Sequence, residues 1–222
     1  MSTLSFWQDF APDELLVPPY TDRYRVCFEG KHLDLPLRPL PDGKTAVASL
    51  LVNQTSFRVF DVLCQDLVRQ ALLLAPDLIV GMPTLGLGLA AAVAKGCNHE
   101  RFIPLSTSRK FWYDDQLSLP LSSITTPDSK KRLYFDPNLL PLLGSAKRIL
   151  LVDDVVSTGQ SLFAAVKILE SIGHSPFAAL CVMTQSERWR SRFSFPIKSC
   201  FSSPLFIKKD KTWIVDRLNG RM

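Results

Sequence analysis

A chain of 222 residues, 46% apolar and 21% charged, has the make-up of one globular domain, or one domain with a subdomain, and excludes a largely disordered protein. Its five cysteines (Cys27, Cys64, Cys97, Cys181, Cys200) are odd in number and never closely paired, which argues against a disulfide framework or a zinc site and points to a reducing, cytoplasmic setting. The net charge of +5 invites a nucleic-acid reading, but residues 1–185 hold 17 basic and 18 acidic side chains while residues 186–222 hold 9 and 3, so the excess belongs to the last segment alone.

Residues 1–22 read as an irregular lead-in punctuated by Pro18 and Pro19, too acidic at its start for a signal peptide. Residues 23–52 read as β: strand-like pieces at 23–28 and 32–38, then the turn dipeptide Asp42-Gly43 before an apolar run at 45–52. Thr55 or Ser56 can cap a helix running to about Ala75, with Phe60, Leu63, Cys64, Leu67, Ala71 and Leu74 on one face. A strand–helix alternation follows. Strands are predicted at 78–82, 101–105, 149–152 and 177–183. Helices are predicted at 86–95, with Gly96 as cap, and at 160–171, stopped by Gly173. Apolar strands alternating with helices imply an α/β fold, a parallel sheet flanked by helices. Residues 106–147 are too long for an idle connection. Residues 186–222 read as short β pieces (206–207, 213–215) among basic residues. No apolar run of about eighteen residues occurs, so no membrane span is expected.

The chemistry concentrates in Ile149-Leu150-Leu151-Val152-Asp153-Asp154-Val155-Val156-Ser157-Thr158-Gly159-Gln160-Ser161. A buried strand delivers two adjacent carboxylates to its carboxyl end. A small loop with hydroxyls and a glycine follows, then a helix. Loop amides and a helix N-terminus suit a phosphate, Ser157, Thr158 and Ser161 add hydroxyl donors, and paired acids can hydrogen-bond vicinal sugar hydroxyls. Together these describe a ribose-5-phosphate site at the carboxyl end of a parallel sheet.

The same segment resembles the phosphoribosyl-pyrophosphate (PRPP) signature of the type I phosphoribosyltransferases, departing from it at Gln160, where many members carry a second glycine. Two further segments fit in the same order. Gly81-Met82-Pro83-Thr84-Leu85-Gly86 resembles the family's pyrophosphate loop. Ser106-Thr107-Ser108-Arg109-Lys110 resembles the start of its flexible catalytic loop, where an Arg-Lys pair faces the leaving group. A further loop lysine often found there is replaced by Phe111-Trp112-Tyr113-Asp114-Asp115; Lys130, Lys131 and Arg132 are candidate substitutes. The three rings are read as core packing, with a partner subunit or substrate as the alternative. Gly86-Leu87-Gly88-Leu89-Ala90-Ala91 also fits a dinucleotide fingerprint, but the next predicted strand ends in Ser106-Thr107-Ser108 rather than an acid.

The resemblance covers residues 56–185 and implies a core there. Residues 1–55 form a β-rich extension and residues 186–222 a basic segment. Either could build the variable hood that covers the base in this family, and Trp213, if not a core residue, could stack on that base. The implied reaction transfers 5-phosphoribosyl from PRPP to a nitrogenous base and releases pyrophosphate, through an oxocarbenium-like transition state. In it Val155, Val156, Ser157, Thr158, Gly159, Gln160 and Ser161 grip the ribose 5-phosphate. Asp153 and Asp154 fix the ribose hydroxyls. Pro83, Thr84, Leu85 and Gly86, with Arg109 and Lys110, stabilise pyrophosphate. Mg²⁺ is expected mainly through PRPP and water, and residues 111–128 are the candidate lid. A purine acceptor is preferred from the Arg-Lys placement, and a homodimer is expected. Nucleic acid is not expected as a partner. The alternative is a non-catalytic PRPP-binding regulator, associated with RNA through the basic segment.

Overall fold

The computed structural model describes residues 9–13, 16–121 and 131–217. The chain opens with β1 (Phe10–Ala11), β2 (Arg23–Phe28), β3 (Lys31–Pro39) and β4 (Thr45–Ala48). Glu29 and Gly30, both at positive φ, turn β2 into β3, and Asp42 closes the next turn by accepting from Lys44 N and Thr45 N, each at 2.9 Å. Helix α1 (Phe57–Leu74) starts at Ser56, whose hydroxyl accepts from Val59 N, and ends at left-handed Ala75, where the sequence turns to proline.

Next come β5 (Leu78–Gly81), α2 (Gly86–Gly96), β6 (Ile103–Pro104), the short hairpin β7 (Ser118–Pro120) and β8 (Arg132–Tyr134), and α3 (Leu140–Leu143). Then follow β9 (Ile149–Val156), α4 (Gln160–Ser171), β10 (Pro176–Gln185), β11 (Ile197–Ser203), β12 (Leu205–Lys209) and β13 (Thr212–Val215). Helix α2 continues through Gly96, expected to be its cap, and Cys97 caps it instead.

Two sheets organise the molecule. A five-stranded parallel sheet runs in the order β11-β10-β9-β5-β6. An antiparallel sheet runs β1-β3-β4-β12-β13, with β2 also paired to β3. The parallel sheet is apolar on both faces, and its residues sort by alternation. Leu150, Val152, Ala178, Leu180 and Val182 share a core with α1, α2 and the antiparallel sheet. Their neighbours in the pleat point the other way: Ile149, Leu151, Ala179 and Cys181 pack with Leu162, Ala165, Ile168 and Leu169 of α4.

The carboxyl-terminal segment differs from its reading as short β pieces among basic residues. Residues 197–203 form a full strand on the edge of the parallel sheet, with Met183 opposite Phe201. Only Phe201 and Ser203 of that strand are buried, which hid an otherwise regular element. The next strand then crosses to the antiparallel sheet, where Leu205, Phe206 and Ile207 pair with Val47, Ala46 and Thr45. Trp213 and Phe206 are core residues, and Trp213 exchanges backbone hydrogen bonds with Tyr20. The basic excess is on the outside: Lys208, Lys209 and Lys211 lie exposed around the β12–β13 turn, and Arg188, Arg190 and Arg192 are exposed after β10.

The three aromatic residues after Lys110 do not enter the core as a group. Phe111 is 90% and Trp112 45% exposed, while Tyr113 packs against Tyr134 with ring centroids 5.8 Å apart. The reason is local. Trp112 Nε1 donates to Asp136 at 3.3 Å, and Arg109 pairs with Asp115, so the turn is braced on β8 and its tip projects outward. Residues 122–128 of the candidate lid, and Lys130, lie outside the described residues.

Gly96 is a close contact between α2 and α1. A Cβ there would sit 2.5 and 2.6 Å from the two methyls of Val68. Valine has little rotamer freedom on a helix, so Gly96→Ala should lose about 1–3 kcal/mol of stability to overpacking, despite its better helix propensity. Denaturant melts of Gly96→Ala, Val68→Ala and the double variant check this; the double variant should recover most of the loss.

Candidate functional site

The central strand β9 carries the acids. Its pairing with β10 continues past them, Cys181 opposite Asp153 and Thr184 opposite Val156. Val155 and Val156, expected to begin the phosphate loop, are therefore still strand, and the loop proper is Ser157 to Gly159. Asp153 is only 7% exposed, and its Oδ1 accepts from Asp154 N at 2.8 Å. Burial pushes the Asp153 carboxyl well above the usual carboxylate range, and the adjacent Asp154 charge pushes it further. Burial raises Asp154 as well.

Gly86 brings α2 against these acids. A Cβ on it would stand 2.9 Å from Asp153 Cα and 3.0 Å from Val152 O. Only a residue without a side chain lets the start of α2 lie on the strand here. The loop before it is Pro83, Thr84 and Leu85; the Pro83–Thr84 peptide is cis.

The phosphate loop turns at Gly159, with φ +74°. Its outer side is filled: a Cβ would meet Phe193 Cε2 at 2.7 Å and Trp189 Cβ at 3.3 Å. Trp189 is itself pinned by Nε1 donating to Ser186 O at 2.8 Å. Helix α4 starts at this glycine without a side-chain cap and without an acid in its first turn. No acid of its own first turn neutralises its amide end, and a helix end of that kind favours an anion. The Ser157 hydroxyl is buried and has no hydrogen-bond partner among the described residues.

These parts share one cavity of about 320 Å³. The floor is the continuous stretch from Asp153 to Leu162, with Leu85 beside it. The roof is Leu40 and Val47 to Leu51 from β4 and its flanks, and the side wall is Met183 and Gln185 at the end of β10. Of the residues singled out from sequence, Asp153, Asp154, Val155, Val156, Ser157, Thr158, Gly159, Gln160, Ser161 and Leu85 line it. Gly86 touches its floor from below. Thr84 faces a neighbouring cavity with Leu85, Phe57 and Phe60, about 380 Å³ in volume. Arg109 and Lys110 leave the carboxyl end of β6, two strands from β9. They are exposed and do not line the cavity, and Arg109 Nε is held by Asp115 at 2.9 Å.

The sequence offered residues 1–55 as one of two candidate hoods but singled out no roof residue within them, and Gln185 was not identified. The run 45–52 reads only as an apolar strand, and no local signal marks which strand covers the site. Among the described residues, no three His, Cys, Asp or Glu side chains come together as a metal cluster; the acids that do converge are Asp153 and Asp154.

Comparison with known proteins identifies the family. The family model of the phosphoribosyl transferase domain matches residues 46–216. The chain belongs to the type I phosphoribosyltransferase family. It is similar to a hypoxanthine/guanine phosphoribosyltransferase of Methanohalophilus mahii, 31% identical over 137 residues, or 62% of each chain. It thus spans about three fifths of that relative's length. A second enzyme of that name, from Methanothermococcus okinawensis, is 24% identical over 186 residues, covering 84% of this chain and 86% of its own. Among solved structures, an APRTase from Giardia lamblia complexed with 9-deazaadenine superposes with a TM-score of 0.59 at 17% identity, over 76% of this chain and 93% of that one. The residues matched by the family model include both the acids and the strand β4 that roofs them.

The raised Asp153 carboxyl has a consequence for stability. At low pH this proton is held in both the folded and the unfolded chain. As pH rises, the unfolded carboxyl ionises first, so folding loses stability until the folded carboxyl ionises too. Asp153→Asn keeps an oxygen for Asp154 N and removes that loss. Melting temperatures of both proteins from about pH 4 to about pH 8 should diverge with rising pH, the variant being the more stable at neutral pH. Parallel curves would show that Asp153 does not ionise at a cost.

Proposed function

We propose that the chain transfers a 5-phosphoribosyl group from PRPP to a ring nitrogen of a purine base and releases pyrophosphate. The observation that carries this reading is one cavity in which a buried carboxylate, Asp153, and the half-buried Asp154 beside it run directly into the loop Ser157 to Gly159 and a helix end without a side-chain cap, under a roof of apolar strand.

In this reading the 5-phosphate lies against Ser157 to Ser161, taking loop amides and hydroxyls, the unpartnered Ser157 Oγ among them. Asp153 and Asp154 hold the ribose hydroxyls. The negative charge that the pair carries once ionised also favours the cationic character that develops at C1 as the bond to pyrophosphate breaks. The electron pair of that bond leaves with pyrophosphate. The base nitrogen supplies the pair for the new bond and gives up its proton. Gly86 lies against Asp153 and Leu85 lines the cavity, and this reading gives the Pro83 to Gly86 loop to the leaving group. Arg109 and Lys110 reach the site only if the turn carrying them closes and Arg109 exchanges Asp115 for phosphate oxygens. That exchange is a natural use for a cation on a loop.

Mg²⁺ fits this site through substrate phosphates and water, with Asp153 and Asp154 as the protein carboxylates within reach. When bound it would neutralise charge on the pyrophosphate. A homodimer follows from the family resemblance and a cytoplasmic setting from the cysteine pattern, and both belong to the same reading; no helix of the described residues is long and apolar enough to cross a membrane. The matched relatives named above carry enzyme names, which favours catalysis over a regulatory role for PRPP binding.

Incubation with PRPP, Mg²⁺ and a panel of bases, with pyrophosphate release as readout, tests the proposal. At least one purine should support release. The double variant Asp153→Asn/Asp154→Asn should lose about 10²-fold or more in kcat/KM while remaining folded. PRPP binding with no turnover on any base would replace the enzyme with a sensor.

A further inference from the structure

The loop Ser157 to Gly159 has to hold its amides in one arrangement, yet little of its own chain does this. Among the described residues the start of α4 has no side-chain cap, and the Ser157 hydroxyl has no partner. Gly159, with φ +74°, is the residue type freest to move to another conformation. What holds the loop is packing from behind, by a segment outside the three sequence motifs. That segment turns at Ser186, directly after β10. Ser186 is buried with φ +59°, a region that residues other than glycine rarely adopt, and its N–H donates to Ser203 O at 2.9 Å.

Trp189 hangs from this turn, its Nε1 donating to Ser186 O at 2.8 Å. Arg192 N donates in turn to Trp189 O at 3.0 Å, and Phe193 follows. The Phe193 ring leans on Phe195, with centroids 5.3 Å apart, and lies so close behind Gly159 that a Cβ there would meet Cε2 at 2.7 Å. Trp189 shares a buried cluster with Val156, the last residue of β9, and Leu162 of the first turn of α4. The brace therefore meets the loop at both ends and at its glycine. Neither Trp189 nor Phe193 lines the cavity. We infer that Trp189 and Phe193 are positioning residues, which act through Gly159 to keep the loop in its anion-receiving shape. A loop already in that shape loses less freedom when a phosphate binds, so the brace raises affinity without contacting the ligand. This inference rests on the proposed phosphoribosyl transfer and adds two residues to its phosphate end.

The test measures binding and needs no turnover. Calorimetry follows ribose 5-phosphate on the full chain, at a temperature where melts show each variant folded. Trp189→Phe removes the Nε1 donor and keeps an aromatic ring, and Phe193→Ala empties the space behind Gly159. Each should weaken ribose 5-phosphate by about tenfold or more. Phe193→Leu refills most of that space and should recover most of the affinity. Gly96→Ala is the control. It lowers stability at a separate helix contact and should leave affinity within about twofold of the wild type. If Phe193→Ala does not fold, Trp189→Phe and Phe193→Leu carry the test. The inference is overturned if a folded Trp189→Phe or Phe193→Ala binds as the wild type does, or if Phe193→Leu binds no better than Phe193→Ala. It is overturned as well if Gly96→Ala loses as much as the brace variants, since the brace would then serve stability alone. If the wild type itself fails to bind ribose 5-phosphate, the phosphoribosyl reading falls, and that result is distinct from the others.

Discussion

The pairing of β4 with β12 is the contact on which the site depends. Val47 and Leu205 face each other across it, and the residues that roof the cavity continue directly from β4. Remove the pairing and the acids and phosphate loop remain as an open ledge on the parallel sheet. With it, the same groups face a walled space, where water is displaced and each charge or dipole acts through a lower dielectric. The roof strand is supported from both sides, by β3 before it and by β12 after it. It is also tied to the floor through Gln185 and Ala48.

The floor is built around an unfavourable arrangement that the packing enforces. Two adjacent carboxylates are held at the end of a central strand, and α2 is pressed onto that strand at Gly86 with no side chain between. The carboxyl of Asp153 is therefore dry and hard to ionise. On the other side of the same short segment, the amide end of α4 is left without a cap. Negative side chains and positive backbone thus adjoin within a few residues, unpaired with each other. In the proposed reading a sugar phosphate answers both at once, its hydroxyls to the acids and its phosphate to the helix. The tight packing of Phe193 and Trp189 behind Gly159 keeps the loop from relaxing to satisfy itself.

The sequence made the floor readable and left the roof obscure, for physical reasons. Apolar runs ending in Asp-Asp and in Gly-Met-Pro-Thr announce buried strands with chemistry at their ends, and such local patterns survive in a linear reading. The helix over 57–74 was equally plain from its period and its serine cap. The roof is different. Its position follows from a pairing between Thr45 to Val47 and Leu205 to Ile207, and nothing in either stretch names the other. Gln185 was invisible for the same reason, since its partner Ala48 lies 137 positions away. The exposed ring of Phe111 went astray because composition favours a buried aromatic run, whereas the Arg109–Asp115 and Trp112–Asp136 contacts hold this turn outward.

That long-range pairing also orders the chain's assembly in time. Within the parallel sheet β5 pairs with β6, and β9 with β10, across one helix each, while Leu78 of β5 meets Ile149 of β9 from 71 positions away. The antiparallel strand β4 is made early but cannot be flanked on its second side until β12 has been synthesised. Closing so large a loop is entropically slow compared with local contacts. During that interval β4 offers a free hydrogen-bonding edge, the kind of edge that other chains can join. A nascent molecule therefore passes through a stage with a finished floor and no enclosed chamber, and the late strands β12 and β13 both protect the edge and complete the site.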